Sequence, residues 1–174
     1  MKIFIAFLLA FFLITCTTYD NAQIYHKNFV PGNHSLLKFN GYYSDTISSP
    51  AADGSNDVLV RPVFLYANGS CFSANNSLSR QLLNTQKVEN INGSWGNYLV
   101  NADTILLEKF QLIENNYVRI IMKGLISKNQ IHWFARKFHR EDYNAVDYSA
   151  LFMSHSSKPD STQNFTRTLK IYNK

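Results

Sequence analysis

Short runs of apolar and aromatic residues, separated by polar connectors, make up most of the chain from residue 36 onward. Four consecutive runs are separated only by the tripeptides NAD, ENN and SKN, and they read GSWGNYLV, TILLEKFQLI, YVRIIMKGLI and QIHWFARKF. In the third run Val118, Ile120 and Met122 share one face, because successive side chains of a strand point to opposite sides. Connectors this short and polar are typical of hairpin loops. The four runs therefore predict an antiparallel meander of strands.

The region before this meander predicts further strands. LLKFNGYYS is rich in aromatic residues, and DTISSPAADGSND after it consists mostly of small and polar residues, so we expect a long loop over 45–57. The segment Val58–Tyr66 is a second β-run. Asn68-Gly69 after it is a strong signal for a tight hairpin turn, from which a return strand begins. Pro62 cannot donate to a neighbouring strand, so the run should lie at an edge or carry a bulge there.

One segment, NNSLSRQLLNTQKVEN, breaks the strand pattern. Leu78, Leu82 and Leu83 fall at helical spacing behind a possible cap at residue 76 or 77, which predicts one short helix. A last strand is expected around Tyr148–Met153. These runs give about eight strands, enough to close a small up-and-down barrel. The predicted fold class is therefore all-β, an antiparallel up-and-down barrel with one short helix.

The N-terminal sequence MKIFIAFLLAFFLITC places one lysine before an unbroken apolar run. A helix that spans a membrane needs about 20 apolar residues, and this run is shorter, which is the pattern of a secretory signal peptide. Its end, LITC, resembles a bacterial lipobox, in which the cysteine is acylated and becomes the mature N-terminus. We predict a lipoprotein signal peptide over 1–15 and lipidation of Cys16, which would anchor the protein to a lipid bilayer. The alternative is ordinary cleavage near Thr17 or Ala22, with no part for the cysteine.

Composition supports a single secreted β-domain. Segment 16–34 is polar and aperiodic, which predicts a flexible spacer, followed by the barrel domain over 35–165 and a C-terminal tail over 166–174. Aromatic residues make up 14% of the chain and charged residues only 17%, which favours β-structure over coiled coil or disorder. The net charge is +5, from 17 basic and 12 acidic residues. Because the basic residues are scattered, we expect no nucleic-acid partner.

Four short motifs then occur in a recognisable order. They read GYY at 41–43, FLY with NG at 64–69, WGNY at 95–98 and KPDST at 158–162. In this order they resemble the successive landmarks of small lipocalin-like lipoproteins of Bacteroidetes. The resemblance covers residues 36 to 165; Asn40 replaces the aspartate commoner in the family, and the ENNYVRIIMKGLI region is longer than typical. It implies a lipocalin-like barrel in the cell envelope, at the outer membrane facing the periplasm. It supplies no catalytic residue.

Candidate catalytic groups are sparse in the sequence. It contains no glycine-rich phosphate loop, G-x-S-x-G or H-E-x-x-H motif. His132 and His139 lie seven positions apart, and this odd separation places them on opposite faces of an unbroken strand. Cys71 is interpreted as a packed strand thiol. We expect no enzyme activity, no cofactor and no metal site.

The remaining hypothesis concerns the interior of the barrel. An eight-stranded barrel is just wide enough to be filled by side chains or to hold one small ligand. The candidate contacts for a small apolar ligand are Phe64, Tyr66, Trp95, Tyr98 and Trp133, although each is also a plausible core residue. We expect the 45–57 loop to act as a lid over Tyr66 and Trp133, and Trp95 to be a buried anchor that closes the barrel bottom. The alternative function is a structural or interaction protein of the envelope with a filled barrel.

Overall fold

The computed structural model describes residues 35–50, 56–79, 83, 91–113, 116–138 and 141–163. The predicted signal peptide, the spacer and the tail from 166 lie outside these residues. The described part contains nine strands and a short 3-10 turn at Ser161–Gln163; the strands are β1 (Gly41–Pro50), β2 (Asn56–Leu65), β3 (Ser70–Ala74), β4 (Leu78–Ser79), β5 (Gly93–Asn101), β6 (Thr104–Ile113), β7 (Asn116–Ser127), β8 (Gln130–Phe138) and β9 (Asn144–Ser154).

The strands form one closed antiparallel barrel. Each barrel strand pairs with the next along the chain, in the order β1, β2, β3, β5, β6, β7, β8 and β9, and β9 pairs back with β1. The two-residue strand β4 is extra: it pairs with β2 at Leu59 and Val60, beyond the part of β2 that pairs with β3. The prediction of an all-β, lipocalin-like up-and-down barrel of about eight strands is confirmed.

Tight hairpin turns join several of the strands. Gly69 follows β2 with a φ of 83°, a conformation that glycine adopts without steric cost. Two-residue loops join β5 to β6 and β7 to β8, and each begins with a positive φ, 54° at Ala102 and 42° at Lys128. Such values match the twist that a two-residue hairpin loop requires. The hairpins predicted at 68–69, at NAD and at SKN are therefore confirmed.

The prediction of a loop over 45–57 is wrong for most of that segment. Residues 45–50 continue β1 and residues 56–57 begin β2, and the register runs from Tyr43 opposite Val63 to Pro50 opposite Asn56. Small and polar residues carry no apolar alternation, but they can extend a hairpin whose other strand is rich in valine and leucine. Residues 51–55 lie outside the described part of the chain.

The segment that was expected to be helical begins differently. Leu78 lies in β4, so no helix starts directly behind residue 76 or 77. Leu82 is not among the described residues, whereas Leu83 has a helical backbone and is buried. The ladder along this side of β2 stops between β3 and β4, at residues 61 and 62. Pro62 therefore lies in an interruption of the ladder, as its missing N–H leads us to expect, although β2 is not an edge strand.

Buried side chains form two clusters, one on each side of the barrel wall. The interior cluster has members on all eight barrel strands, among them Tyr43, Leu65, Cys71, Tyr98, Ile105, Ile120, Ile131 and Ala150. The outer cluster lies on the outside of β1, β2, β3 and β5, and it consists of Tyr42, Val60, Phe64, Tyr66, Phe72, Leu83 and Trp95. Neighbouring residues such as 64 and 65 belong to different clusters because strand side chains alternate.

Candidate functional site

The interior is filled near one end and contains a cavity toward the other. Near the β2–β3, β5–β6 and β7–β8 turns, residues such as Tyr98, Ile105 and Ile131 are 0% exposed. Toward the end where the β1–β2, β6–β7 and β8–β9 connections lie, the interior holds a cavity of about 210 Å³. Arg61 faces this cavity, and its side chain is nevertheless 48% exposed, so solvent reaches the cavity there.

Every barrel strand except β5 contributes to the wall of this cavity. In β5 the inward-facing residue nearest the cavity is Gly96. It is in phase with inward-facing Tyr98 and lies opposite Lys109 of β6. The absence of a side chain is required there, because a Cβ atom on Gly96 would come within 1.9 Å of the Glu108 carbonyl oxygen. The apolar part of the wall comes mainly from β7, β8 and β9, and it includes Ile120, Met122, Trp133, Phe138 and Tyr148.

Four charged side chains also reach the cavity, two of which pair with each other. Asp45 lies opposite Arg61 in the β1–β2 ladder, and both oxygens of its carboxylate accept hydrogen bonds from the guanidinium, with Nε at 3.0 Å from Oδ1. The guanidinium carbon lies 5.5 Å from the centre of the Tyr148 ring. The hydrogen bond with Asp45 raises the pKa of Arg61. This pair therefore brings no net charge to the cavity.

The other two charged groups, Lys109 and Arg136, are cations without a carboxylate partner in the part of the chain that the structure describes. Lys109 Nζ donates a hydrogen bond to Ser73 Oγ at 2.9 Å, and among the described residues no carboxylate lies within 4.0 Å of it. The pKa of Lys109 is lowered to about 8, mainly by burial and to a smaller extent by the nearby Arg136 and Arg61, while Cys71 acts in the opposite direction. Arg136 Nε is buried and has no hydrogen-bond partner in the described part of the chain. Among the residues that the structure describes, three cations and one carboxylate thus line the cavity.

The five residues predicted to contact a ligand are not brought together. Trp133 lines the cavity and is 1% exposed. Tyr98 faces the interior at the filled end, where its Oη donates to the Tyr66 carbonyl oxygen at 2.6 Å. The other three predicted contacts, Phe64, Tyr66 and Trp95, belong to the outer cluster. Alternation explains the difference, because Phe64 and Tyr66 are out of phase with the inward-facing residues of β2.

The burial expected of Trp95 is confirmed, but its expected place at the barrel bottom is wrong. The side chain is 7% exposed, and its ring centre lies 5.0 Å from that of Phe72 and 5.8 Å from that of Tyr66. All three rings are in the outer cluster. The inward positions of β5 are those in phase with Tyr98, so the indole at 95 points outward.

The motifs that carry the family resemblance meet on the outside of the barrel. Tyr66 Oη donates to the Pro159 carbonyl oxygen at 2.6 Å, and Lys158 Nζ lies 5.0 Å from the centre of the Tyr66 ring. Asn68 of the hairpin turn contacts Ser161 Oγ at 3.4 Å. The FLY-NG and KPDST segments therefore hold the chain after β9 against the barrel wall.

The charged residues of the cavity are not among the site residues predicted from the sequence. Arg61 is in phase with inward-facing Leu65, and Lys109 is in phase with inward-facing Ile105 and Leu107. At both positions a charged side chain lies among apolar residues on the same face of the strand, and this pattern is visible in the sequence. The side of each strand that faces the interior is known only once the barrel is closed, so this pattern does not by itself identify cavity residues.

The other polar groups considered from the sequence lie apart from the cavity opening. Cys71 is 0% exposed, and burial raises the pKa of its thiol, so it is a packed side chain. His132 Nδ1 lies 3.3 Å from Ser149 Oγ, and its Nε2 lies 3.7 Å from a carboxylate oxygen of Asp147, which is 91% exposed. The contacts of His132 are therefore long, and its carboxylate neighbour lies in solvent. His139 is not among the described residues.

The described ranges of the chain contain no group of three or more His, Cys, Asp and Glu side chains that could hold a metal ion. Within them, no helix has the length and apolar character needed to cross a membrane. No protein-family model, curated protein or solved structure matches the chain. The cavity is therefore the feature of the described barrel on which a function can be proposed.

Proposed function

We propose that this protein is a ligand-binding lipoprotein of the cell envelope, whose lipocalin-like barrel holds one small molecule in its interior cavity. In this proposal acylated Cys16 anchors it to the bilayer, at the outer membrane facing the periplasm. The observation that supports binding is the uneven filling of the barrel: tightly packed side chains at one end, and a cavity of about 210 Å³ that reaches solvent at the other. The LITC motif and the family resemblance support the anchor.

The size of the cavity limits the ligand to a small molecule. Pockets for drug-sized ligands begin at about 300 Å³, whereas an apolar cavity of roughly 150 Å³ already admits benzene. A cavity of about 210 Å³ therefore suits one ring or a short branched chain with one polar group. The lining is also more polar than the apolar site expected from the sequence, because four charged side chains reach it.

Lys109 and Arg136 have no carboxylate partner within the described ranges, which favours a binding role over a purely structural one. Apolar residues at these positions would fill the barrel without the cost of desolvating charge. Lys109 instead keeps an amine there, with its pKa lowered to about 8 by burial. Strongly perturbed groups in a cleft are common at functional sites.

The two tryptophans of the chain provide a direct test of where ligands bind. Trp133 lines the cavity and Trp95 lies in the outer cluster, so Trp95→Phe leaves a reporter inside the cavity and Trp133→Phe leaves one outside. Each variant would be titrated with benzoate, benzamide and benzyl alcohol while tryptophan emission is followed. We expect a saturable change in Trp95→Phe and none in Trp133→Phe. No saturable change in Trp95→Phe with any of the three compounds would refute the proposal in favour of the structural alternative.

A further inference from the structure

Lys109 and Arg136 approach the cavity from two sides of β7. Lys109 of β6 pairs with Ile120 of β7, and Arg136 of β8 pairs with Met122 of β7. The two backbones are thus two strand spacings apart, or roughly 10 Å. Both side chains are long, and both line the same cavity. A small group bound between them is therefore within reach of both cations.

The hydrogen-bonding capacity that remains on these side chains fits an oxyanion. An ammonium group has three donors, and Lys109 uses one of them on Ser73 Oγ. Arg136 has a buried Nε–H without a partner among the described residues. A guanidinium can bind both oxygens of a carboxylate through two parallel N–H groups. Asp45 is engaged with Arg61 and so is not the missing partner.

Next to these cations the wall is apolar. Trp133, Phe138 and Met122 line the cavity together with Lys109 and Arg136, and the Arg136 guanidinium lies 4.8 Å from the centre of the Phe138 ring. A free inorganic anion would leave this apolar surface in contact with water. A ring or branched chain attached to the anionic group would cover it.

Building on the proposed function, we propose that the cavity selects a small carboxylate with an aromatic or branched apolar body, and that Lys109 and Arg136 bind the carboxylate group. Trp133, Phe138 and Met122 contact the apolar body. Benzoate represents this class, and benzamide has nearly the same shape without the charge. The comparison of these two probes isolates the contribution of the cations.

The experiment measures the affinity of both probes in the Trp95→Phe background, by the fluorescence of Trp133 and by calorimetry. Because hydrogen bonds to charged groups are stronger than neutral ones, we expect benzoate to bind about tenfold or more tightly than benzamide. Lys109→Met and Arg136→Met should each remove most of this preference, because each lowers the affinity for benzoate much more than the affinity for benzamide. Arg136→Lys should retain part of it, since it keeps the charge but loses the planar pair of donors.

Lys123→Met is the matched control. Lys123 lies on β7 next to the cavity-lining Met122, but it is not part of the cavity wall and its Nζ lies 4.0 Å from the centre of the Tyr143 ring. This variant should keep the full preference for benzoate. Near-ultraviolet circular dichroism of every variant would verify that the barrel is folded.

The outcomes separate the inference from the function on which it depends. Equal binding of benzoate and benzamide would overturn the selectivity for anions and leave the cavity as a ligand site. A preference for benzoate that survives both Lys109→Met and Arg136→Met would overturn the assigned residues. Inorganic phosphate that displaces benzoate at equal concentration would overturn the role of the apolar wall. Failure of every probe to bind would overturn the proposed function itself.

Discussion

Replacing Lys109 with methionine should stabilise the barrel. The side chain keeps similar length and apolar character, while the amine that burial penalises is removed. The pKa of Lys109 is lowered from 10.5 to about 8, and each pKa unit corresponds to about 1.4 kcal/mol, so the charged amine costs about 3 kcal/mol of stability near neutral pH. Loss of the hydrogen bond to Ser73 offsets about 1 kcal/mol of the gain. The expected net stabilisation is about 2 kcal/mol.

The pH dependence of this effect has a definite sign. Between pH 8 and 10.5 the unfolded chain keeps a proton on Lys109 that the folded protein has lost, so the wild-type protein gains stability as the pH rises through this window. The methionine variant lacks that gain. The stability difference between the two proteins should therefore be largest below pH 8 and shrink toward pH 10.5. The other groups around the lysine, namely Asp45, Arg61, Cys71, Arg136 and Tyr148, are present in both proteins.

Urea unfolding of the wild type, Lys109→Met and Lys123→Met at pH 7 and pH 10 would measure this difference. Lys123→Met controls for the loss of one positive charge from the protein, and it should not reproduce the effect, because Lys123 is outside the cavity wall. A methionine variant that is less stable than the wild type at pH 7 would refute the reasoning. It would mean that the amine is well accommodated by its surroundings and is not held there at a cost.

Three further changes test the anchor and the outer cluster. Cys16→Ser should move the protein from the membrane fraction to the soluble one and abolish labelling by a fatty-acid analogue; labelling that persists would contradict lipidation. Trp95→Ala should destabilise the barrel by about 3 to 5 kcal/mol, because the indole is buried against Phe72 and Tyr66. A melting temperature within a few degrees of wild type would disprove this. Tyr66→Phe should cost about 1 kcal/mol through loss of the bond to the Pro159 carbonyl, with faster proteolysis after β9; unchanged cleavage would contradict it.

The sequence predicts the fold well where the hairpins are short. Between residues 93 and 138 the connectors are brief and polar, so strand boundaries, pairing and direction all follow from local signals. The strands within the 45–57 segment could not be predicted in this way. Its small polar residues have no periodicity, and their pairing depends on the partner strand β2. Leu78 could not be predicted in this way either, because its place in β4 depends on pairing with β2, whereas Leu83 has the expected helical backbone.

The site is harder to predict because part of the barrel wall is buried on both faces. In β2 both Phe64 and Leu65 are 0% exposed, one in the outer cluster and one in the interior. Hydrophobicity alone therefore does not tell which residue faces a ligand. The answer depends on barrel closure and on the chain that covers the outside, such as the segment held by Tyr66 and Pro159. Both are long-range features that one strand's sequence does not contain.

The pairing of charged side chains in the barrel wall is the strongest reason to expect an anionic ligand. Glu108 is fully buried, and its carboxylate lies 3.8 Å from the Arg119 guanidinium. Asp45 is bound by Arg61 at the edge of the cavity. In both places a carboxylate of the chain accompanies the cation, as buried charges generally require. Lys109 and Arg136 depart from this pattern within the part of the chain that the structure describes, and they do so in the same cavity. A carboxylate supplied by a ligand would complete the same arrangement there.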